Sequence, residues 1–332
     1  MSSIAVRGAG VVGLWQALAL ARRGHAVTLY ERSPQPFADA CSLYAGAMLA
    51  PRCEEESAEA IVRDLGQRGI ALWRETYSGT EANGTLVVAL ARDRAELDRF
   101  ARMTGGHERL SPAELAALEP GFGDRFAGAL FYPEEAHLAP EPALRFLLDA
   151  LLAEGVALRL GDSEMPSGAD LVVDCRGLAA KDELPTLRGV RGERLVIRSR
   201  EVTLARPTRL LHPRFPLYVV PWGDGLHMVG ATVIESDETG PITLRSALDL
   251  LSATYALDPA FAEAEIVQQG AGARPAFPDN RPRIIARKSY IYVNGLYRHG
   301  FLLAPVLAEL VADYLETGAM HREVFVEDPA QR

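Results

Sequence analysis

Three glycines and one acid near the start of the chain have the types and spacing of a dinucleotide-binding site. Gly8, Gly10 and Gly13 separate a short apolar segment from a longer one at residues 14–21. The first glycine allows a tight turn, the second lets backbone approach a pyrophosphate, and the third lets a helix pack closely against strands. Glu31 lies 18 residues after Gly13, where a carboxylate can accept hydrogen bonds from a ribose diol.

The elements that position these residues form a βαβ unit. Residues 4–7 form an apolar strand, residues 14–21 continue the helix that the glycines open, and residues 26–31 form a second strand ending in the acid. The N-terminus of this helix offers N–H groups and partial positive charge to a phosphate. A glycine turn in an ordinary βαβ unit is the alternative, but the terminal acid in register favours a bound dinucleotide.

Composition and charge indicate a globular enzyme. The chain has 332 residues, of which 48% are hydrophobic, so it is long enough for about two domains with a large buried core. Its formal net charge of −9 argues against nucleic acid and anionic membranes as partners. Because no positively charged leader precedes the first strand and no apolar run is long enough to span a bilayer, we expect a cytoplasmic protein.

The cysteines argue against disulfides and against a metal centre. The chain has three cysteines, Cys41, Cys53 and Cys175. An odd number without a C-x-x-C pair is typical of reduced thiols. No histidine stands at ligand spacing from Cys41 or Cys53. We therefore expect no bound metal.

Apolar periodicity predicts the remaining helices and strands. The predicted helices cover residues 54–74, 92–103, 140–152, 244–255 and 301–315. The predicted strands cover residues 84–89, 128–132, 156–160, 169–175 and 289–293, and residues 191–233 have the alternation of an antiparallel sheet. We interpret the run Glu54, Glu55 and Glu56 as a solvated first helical turn.

Three further segments indicate the kind of dinucleotide enzyme. Residues 269–282 place Arg274 in a loop rich in glycine and proline. Residues 294–305 read as a strand exit, a glycine and a helix start, and residues 42–51 are rich in small side chains that would allow the chain to lie against a flat ring.

At these residues the sequence resembles the glycine oxidases of thiazole (thiamine) biosynthesis, within the D-amino-acid oxidase and sarcosine oxidase superfamily of FAD flavoproteins. The resemblance covers nearly the whole chain and is most specific in four places. These are the N-terminal fingerprint, Gly-Ala-Met-Leu-Ala at 46–50, the hairpin from Tyr-Val-Val-Pro to Val-Gly-Ala-Thr at 218–232, and Gly-Ala-Arg-Pro at 272–275 together with Arg-His-Gly-Phe-Leu-Leu-Ala-Pro at 298–305.

The resemblance implies an α/β fold in which a Rossmann-type FAD-binding domain is interleaved with an antiparallel-sheet substrate domain. Residues 1–78, 138–187 and 270–332 would form the discontinuous FAD-binding domain. Residues 79–137 and 188–269 would form the substrate-binding domain. Because no cysteine follows Cys175, the FAD would be held non-covalently.

The resemblance also implies which residues hold FAD. Val11 and Val12 would lie at the pyrophosphate, and Glu31 with Arg32 at the adenosine ribose. The residues lining the flavin would be Ser42, Gly46, Ala47 and Met48. A helix N-terminus formed by Leu296, Tyr297, Arg298, His299, Gly300, Phe301 and Leu302 would lie at the flavin pyrimidine, where its dipole stabilises negative charge.

For the substrate, the resemblance implies that Arg274 pairs with a carboxylate and that Tyr218 donates its hydroxyl to the same group. Arg298 would lie at the substrate edge. From the residues alone, Arg274 could instead brace a loop, Tyr218 could be a core tyrosine, and Arg298 could act through its backbone. His299 is not assigned as a base, because amine oxidation by hydride transfer needs none.

The chain departs from the family pattern at several positions. Asp174, Cys175 and Arg176 stand where most relatives have small neutral residues, which leaves the flavin contacts there open. Residues 162–168 are too few for the usual β-hairpin, so no adenine contact is assigned to them. His299 replaces an asparagine, and Val233 replaces a larger methionine, which would leave more room beside the substrate.

The implied activity is FAD-dependent oxidation of glycine or a small N-substituted or D-amino acid to the imine and oxo acid, with dioxygen reduced to hydrogen peroxide, in thiazole synthesis. A D-amino-acid dehydrogenase that reduces a quinone and an oxidase of an N-substituted glycine from another pathway are the alternatives. A nucleotide-binding protein without activity would not need Arg274 beside the flavin segments. The preferred substrate and the oligomeric state, including a homo-oligomer, stay open.

Overall fold

A computed structural model describes residues 2–162, 168–212 and 217–326. The helices are α1 (Val11–Arg22), α2 (Ala60–Thr76), α3 (Arg94–Met103), α4 (Pro112–Leu118), α5 (Pro140–Ala153), α6 (Leu244–Leu257) and α7 (Gly300–Thr317). The strands are β1 (Ser3–Arg7), β2 (Ala26–Glu31), β3 (Met48–Leu49), β4 (Thr85–Ala89), β5 (Glu108–Leu110), β6 (Ala129–Tyr132), β7 (Ala136–His137), β8 (Ala157–Leu160), β9 (Leu171–Asp174), β10 (Arg188–Arg198), β11 (Thr208–Leu211), β12 (Leu217–Pro221), β13 (Leu226–Gly230), β14 (Ile234–Glu235), β15 (Glu265–Ala276), β16 (Arg283–Arg287), β17 (Tyr290–Asn294) and β18 (Phe325–Val326).

The first large sheet is mostly parallel and contains the βαβ unit. Its order over the described ranges is β18-β16-β17-β9-β1-β2-β8, and only the β16–β17 pair is antiparallel. Arg7 at the end of β1 lies opposite Tyr30 on one side and Asp174 on the other. The carboxyl ends of β1, β2 and β9 therefore meet at one edge, which is where ligands bind in open α/β sheets.

Helix α1 packs beneath this edge because its sequence is apolar almost all round. Its residues from Leu14 to Leu20 are buried in the main core. Trp15 contacts Trp73 of α2 edge to face at 5.0 Å, and the Trp73 indole N–H donates to the Phe301 carbonyl oxygen of α7 at 2.6 Å. These contacts fix α7 beside α1 and so set where the N-terminus of α7 lies.

The second large sheet is mostly antiparallel. Its order among the described strands is β14-β10-β13-β12-β11-β4-β6-β5, with β15 also paired to β10, and only β4 and β11 run parallel. Its core includes Leu86, Leu195 and Val229, and Leu250 of α6 packs on it. The long β10–β15 pair brings Gly192 opposite Gly272 and Val190 opposite Arg274.

The interpretation of Glu54, Glu55 and Glu56 as a solvated helical turn is wrong. Helix α2 begins at Ala60, and residues Cys53–Glu56 form a separate 3-10 turn. The three carboxylates face inward because arginines pair with them. Glu54 pairs with the distant Arg298, Glu55 with the nearby Arg52 and Arg63, and Glu56 with the distant Arg99 and Arg209.

The other predicted elements exist, with ends that shift by a few residues. The unpredicted elements are α4, β3, β5, β7, β14, β15, β16 and β18. The assignment of Arg274 to a loop is wrong, because residues Glu265–Ala276 form β15 and pair with β10. Residues 163–167, in the segment that we judged too short for a hairpin, lie outside the described residues. The domain division stays a proposal. Its boundary at residue 270 falls inside β15, which pairs with β10 on both sides of that position.

The unusual charges after β9 satisfy one another. Asp174 is fully buried and accepts from Arg7 at 3.4 Å and from Arg176 at 2.7 Å. Arg176 also forms an ion pair with Asp182 at 2.9 Å. A buried carboxylate is tolerated when it is paired and hydrogen-bonded. Asp174 can therefore occupy this buried position because Arg7 and Arg176 both pair with it.

One buried acid gives a prediction about pH and stability. Glu135 is fully buried, and burial raises its pKa to about 7, although its Oε1 accepts from the Cys53 N–H at 2.7 Å. Because the folded-state pKa exceeds the unfolded-state value of 4.5, the stabilisation is complete below 4.5 and is lost as pH rises through 7. Relative to Glu135→Gln, the wild-type free energy of unfolding should fall by about 3 kcal/mol over this range.

Urea unfolding of both proteins at a series of pH values measures this difference. The neighbouring Glu134, whose side chain is 60% exposed, provides the control, and Glu134→Gln should show no pH-dependent difference. A wild-type protein whose stability parallels that of Glu135→Gln at every pH would contradict the raised pKa.

Candidate active site

A cleft of about 710 Å³ lies at the carboxyl ends of β1, β2 and β9. It brings together most of the residues predicted to hold a dinucleotide. Those lining it are Gly8, Gly10, Val11, Val12, Glu31, Arg32, Ser42, Leu296, Tyr297 and Gly300. Gly13 does not line the cleft but packs inside the turn.

The glycine turn has the geometry of an anion site. Gly8 has a φ of +96°, and a Cβ on Gly13 would lie 1.8 Å from the Gly8 carbonyl oxygen, so the turn excludes larger residues there. Gly10 is the N-cap of α1 and provides no capping side chain. The Val11 N–H donates to the Ser42 hydroxyl oxygen at 3.1 Å, which places a hydroxyl at the positive end of α1.

Glu31 connects the turn to the end of β2. One carboxylate oxygen accepts from the Ala9 N–H at 2.8 Å and the other from the Ser33 N–H at 3.1 Å. The acid lines the cleft while also holding the glycine loop in place. Arg32 is largely exposed and pairs with Asp39 at 3.4 Å, so its role at a ribose stays a prediction.

A second cavity of about 130 Å³ adjoins the cleft, because Val11, Ser42, Tyr297 and Gly300 line both. The three predicted substrate residues, Tyr218, Arg274 and Arg298, all line this cavity. The predicted flavin residues that line it besides the shared ones are Gly46, Ala47, Met48, His299, Phe301 and Leu302.

Arg274 and Tyr218 reach the cavity from β15 and β12 of the second sheet, two strands that are separated by β10 and β13. Arg274 Nη1 donates to the Thr232 carbonyl oxygen at 3.2 Å, and among the described residues no carboxylate pairs with this guanidinium. The Tyr218 ring lies against Gly46, where a Cβ would approach it to 2.9 Å. Its hydroxyl makes no hydrogen bond to the part of the chain that the structure describes.

Arg298 is held by an acid that we did not predict for the site. Arg298 Nη2 donates to a Glu54 carboxylate oxygen and, at 3.0 Å, to the Ser57 hydroxyl oxygen. Burial raises the pKa of Glu54, but the charge and hydrogen bond of Arg298, together with smaller contributions from His299 and Arg209, outweigh it and hold this pKa at about 2. Glu54 in turn raises the pKa of Arg298, so both groups are ionised near neutral pH.

His299 is the N-cap residue of α7 and is 4% exposed. Burial lowers its pKa to about 4, although its Nδ1 lies only 3.9 Å from the Glu54 carboxylate, which acts in the opposite direction. The imidazole is therefore neutral near pH 7. It can accept or donate a hydrogen bond at the cavity wall without adding charge there.

Sequence reasoning missed four further residues of this site. Glu54 was assigned to solvent, and Tyr44, Arg209 and Gly192 were not considered, although all four line the small cavity. A glycine in a strand interior marks a close approach by another group, which was the available signal at Gly192. The partners of Glu54 and Arg209 lie too far away in sequence to be recognised.

Residues 3–314 match the family of FAD dependent oxidoreductases. The chain belongs to this family. Its membership confirms the resemblance drawn from the sequence and shows that the chain is an enzyme that uses FAD. In the part of this oxidoreductase that the structure describes, no helix has both the length and the apolar character needed to cross a membrane.

Individual relatives agree with the family assignment. A protein of Rhizobium etli named as a thiamine biosynthesis oxidoreductase, ThiO, is 52% identical over 316 residues, which cover 95% of this chain and 96% of that one. A glycine oxidase of Geobacillus kaustophilus is 25% identical and covers 94% of this chain and 92% of its own. The crystal structure of glycine oxidase from Bacillus cereus has a TM-score of 0.80 at 22% identity and covers 96% of each chain, which confirms the fold class.

The residues present fit the FAD of this family. The long cleft has the volume expected of a cofactor site. The start of α1, where Gly10 supplies no capping side chain, suits a pyrophosphate, and the buried carboxylate of Glu31 suits a ribose. The small cavity adjoins the cleft at Tyr297 and Gly300, where the chain enters α7.

Glu31→Ala should weaken FAD binding about tenfold or more. The change removes the predicted ribose acceptor, whose hydrogen bonds would contribute roughly 1.5 to 3 kcal/mol, and it frees the glycine loop from the Ala9 and Ser33 hydrogen bonds. Titration of the FAD-free protein, followed by quenching of flavin fluorescence, measures the dissociation constant. Glu75→Ala removes an exposed acid outside both cavities and serves as the control. An unchanged FAD dissociation constant in Glu31→Ala would remove Glu31 from the cofactor site.

Glu54 and Arg298 should be coupled by about 1 to 3 kcal/mol in a double-mutant cycle of Glu54→Gln and Arg298→Met. The reason is that their side chains are only 20% and 26% exposed, so each charge depends on the other. The exposed pair of Glu141 and Arg145 is the control, and its coupling should stay below about 0.5 kcal/mol. Urea unfolding measures both cycles. Equal coupling in the two pairs would show that Glu54 does not specifically support Arg298.

Proposed function

We propose that this enzyme oxidises glycine or a small N-substituted or D-amino acid in the thiazole branch of thiamine synthesis. The observation that carries the proposal is Arg274, a cation that lines a small cavity beside the FAD cleft without a carboxylate partner among the described residues. The names of the relatives, a thiamine biosynthesis oxidoreductase and glycine oxidases, support the same reaction class.

The size of the cavity favours a small substrate. Its volume of about 130 Å³ is less than a fifth of the 710 Å³ of the cleft, so it suits a compact ligand. Glycine, with its carboxylate, one carbon and an amine, fills such a space. Val233 lies at the wall and is 51% exposed, so a short N-substituent or side chain has a way out past it.

Charge at the cavity favours a carboxylate. Arg274, Arg209 and Arg298 line it, whereas Glu54 is the acid that the described lining contributes. Arg298 is neutralised by Glu54, and Arg209 pairs with Glu56 at 2.7 Å. The guanidinium of Arg274 is thus left to bind a carboxylate with its planar fork.

The residues position the substrate, and the cofactor supplies the redox chemistry. Arg274 and the Tyr218 hydroxyl hold the carboxylate, which fixes the orientation of the α-carbon and the amine. His299 stays neutral and Glu54 compensates the charge of Arg298, so neither His299 nor Arg298 repels the incoming amine. FAD, when bound, would supply the two-electron oxidation of the substrate to the imine and the reduction of dioxygen to hydrogen peroxide.

The proposal includes non-covalent FAD and a cytoplasmic location, in keeping with the three cysteines, all free. Oxidation by a quinone instead of dioxygen is the second candidate. A panel of glycine, sarcosine and small D-amino acids, assayed for peroxide and for dye reduction, separates the two. Turnover with dye but without peroxide would replace the oxidase by the dehydrogenase.

Arg274→Met tests whether Arg274 binds the carboxylate of the substrate. Methionine keeps an apolar stem but removes the ion-pair partner, which typically costs about 3 to 5 kcal/mol, or roughly two to three and a half powers of ten in kcat/KM for amino acids. Simple amines without a carboxylate should lose far less. Arg283→Met, which removes an arginine outside both cavities, is the control. Wild-type efficiency with glycine, sarcosine and D-amino acids would refute the assignment, as would an equal loss with the simple amines.

A further inference from the structure

We infer that Gly192 is a positioning residue whose missing side chain lets the Arg274 guanidinium lie across strand β10 and face the substrate. The inference rests on the proposed function of Arg274 as the carboxylate anchor. It adds that the position of the Arg274 guanidinium depends on a residue that has no side chain of its own to bind the substrate.

The close approach is the first observation. A Cβ built on Gly192 would lie 2.0 Å from Arg274 Nη2, 2.3 Å from Cζ and 2.6 Å from Nη1. All three distances are far below a van der Waals contact of about 3.5 Å. With any other residue at position 192, the guanidinium would have to move.

Strand register explains why these two residues meet. Gly192 lies opposite Gly272 in the β10–β15 pair, and Arg274 follows Gly272 by two residues, on the same face of the sheet. Arg274 is therefore the diagonal neighbour of Gly192, a distance that a long side chain spans. The guanidinium lies over Gly192, where β10 has no side chain to exclude it.

Backbone conformation does not explain the glycine. Gly192 is in a strand and lies outside the positive-φ range that favours glycine. A glycine in such a place costs roughly 0.5 to 1 kcal/mol relative to alanine, because it loses more conformational freedom on folding. The space that it leaves for Arg274 is the feature of the structure that accounts for it.

The residue after Gly192 fixes the guanidinium from a second side. The Glu193 N–H donates to the Thr232 hydroxyl oxygen at 2.9 Å, and the Thr232 N–H donates to the Glu193 carbonyl oxygen at 3.2 Å. Thr232, held in this way, accepts from Arg274 Nη1 through its own carbonyl oxygen. Strand β10 thus contributes both Gly192, over which the guanidinium lies, and the Glu193 backbone, which holds the Thr232 acceptor in place.

The test compares Gly192→Ala, Arg274→Met and their double variant as FAD-loaded enzymes. Gly192→Ala should lower kcat/KM for glycine and sarcosine about 10- to 100-fold, mainly through KM, because a displaced anchor binds the carboxylate poorly. Amines without a carboxylate should change less than about threefold. Acetate binding, followed by the shift in the flavin absorption spectrum, should weaken by a similar factor without any turnover.

The double variant decides whether Gly192 acts through Arg274. If it does, adding Gly192→Ala to Arg274→Met should change kcat/KM for amino acids by less than about twofold. Gly240→Ala is the control, because a Cβ there meets nothing within 4 Å and the backbone has no positive φ. FAD content and melting temperature of Gly192→Ala should match those of this control.

The outcomes separate this inference from the function on which it rests. Amino-acid oxidation that survives Arg274→Met would overturn the proposed function. If Arg274→Met loses it but Gly192→Ala does not, or if the two effects add, the positioning role is wrong and the proposed function stands. If Gly192→Ala does not fold, Thr232→Val carries the test, because loss of the Glu193 hydrogen bond should weaken acetate binding and again show no additive effect with Arg274→Met.

Discussion

A cation that is partly removed from water needs an anion, and this constraint explains the arrangement of the small cavity. Arg298 has Glu54, and Arg209 has Glu56. Within the described ranges, the guanidinium of Arg274 makes a single hydrogen bond, to the carbonyl oxygen of Thr232. The fold thus pairs two of these charges itself and leaves Arg274 without a carboxylate partner among the described residues. In the proposed function, the carboxylate of the substrate provides that partner.

Arg194 shows that an arginine can be buried here without leaving a site for an anion. It is 2% exposed, and burial lowers its pKa to about 10. Its guanidinium lies between the rings of Tyr44 and Trp222 and donates to the Gln268 side-chain oxygen and the Leu43 carbonyl oxygen. Two aromatic faces and two neutral acceptors surround this cation, and it does not line either cavity. Arg274 lacks such a shell, which is why the two arginines have different roles.

How well the sequence predicted each feature depends on how far apart the cooperating residues lie. The glycine turn and Glu31 fall within one βαβ unit, so local spacing was enough to predict them. The polarity of Glu54 predicted exposure, yet its partner Arg298 is 244 residues away, and only the folded chain shows that the carboxylate turns inward. The resemblance indicated Arg274, but the role of Gly192 depends on the register of β10 against β15, which no local pattern reveals.

The groups that surround the anchor also keep its charge environment constant over a wide range of pH. Burial holds the pKa of His299 at about 4, and Arg298 holds that of Glu54 at about 2. At the other end of the range, burial raises the pKa of the Cys41 thiol above its ordinary value of 9.0, although Arg274 acts in the opposite direction. None of these three groups therefore changes its charge near neutral pH. The charge that they contribute at the cavity wall stays the same throughout this range, so a pH dependence of ligand binding there has to come from other groups, the ligand included.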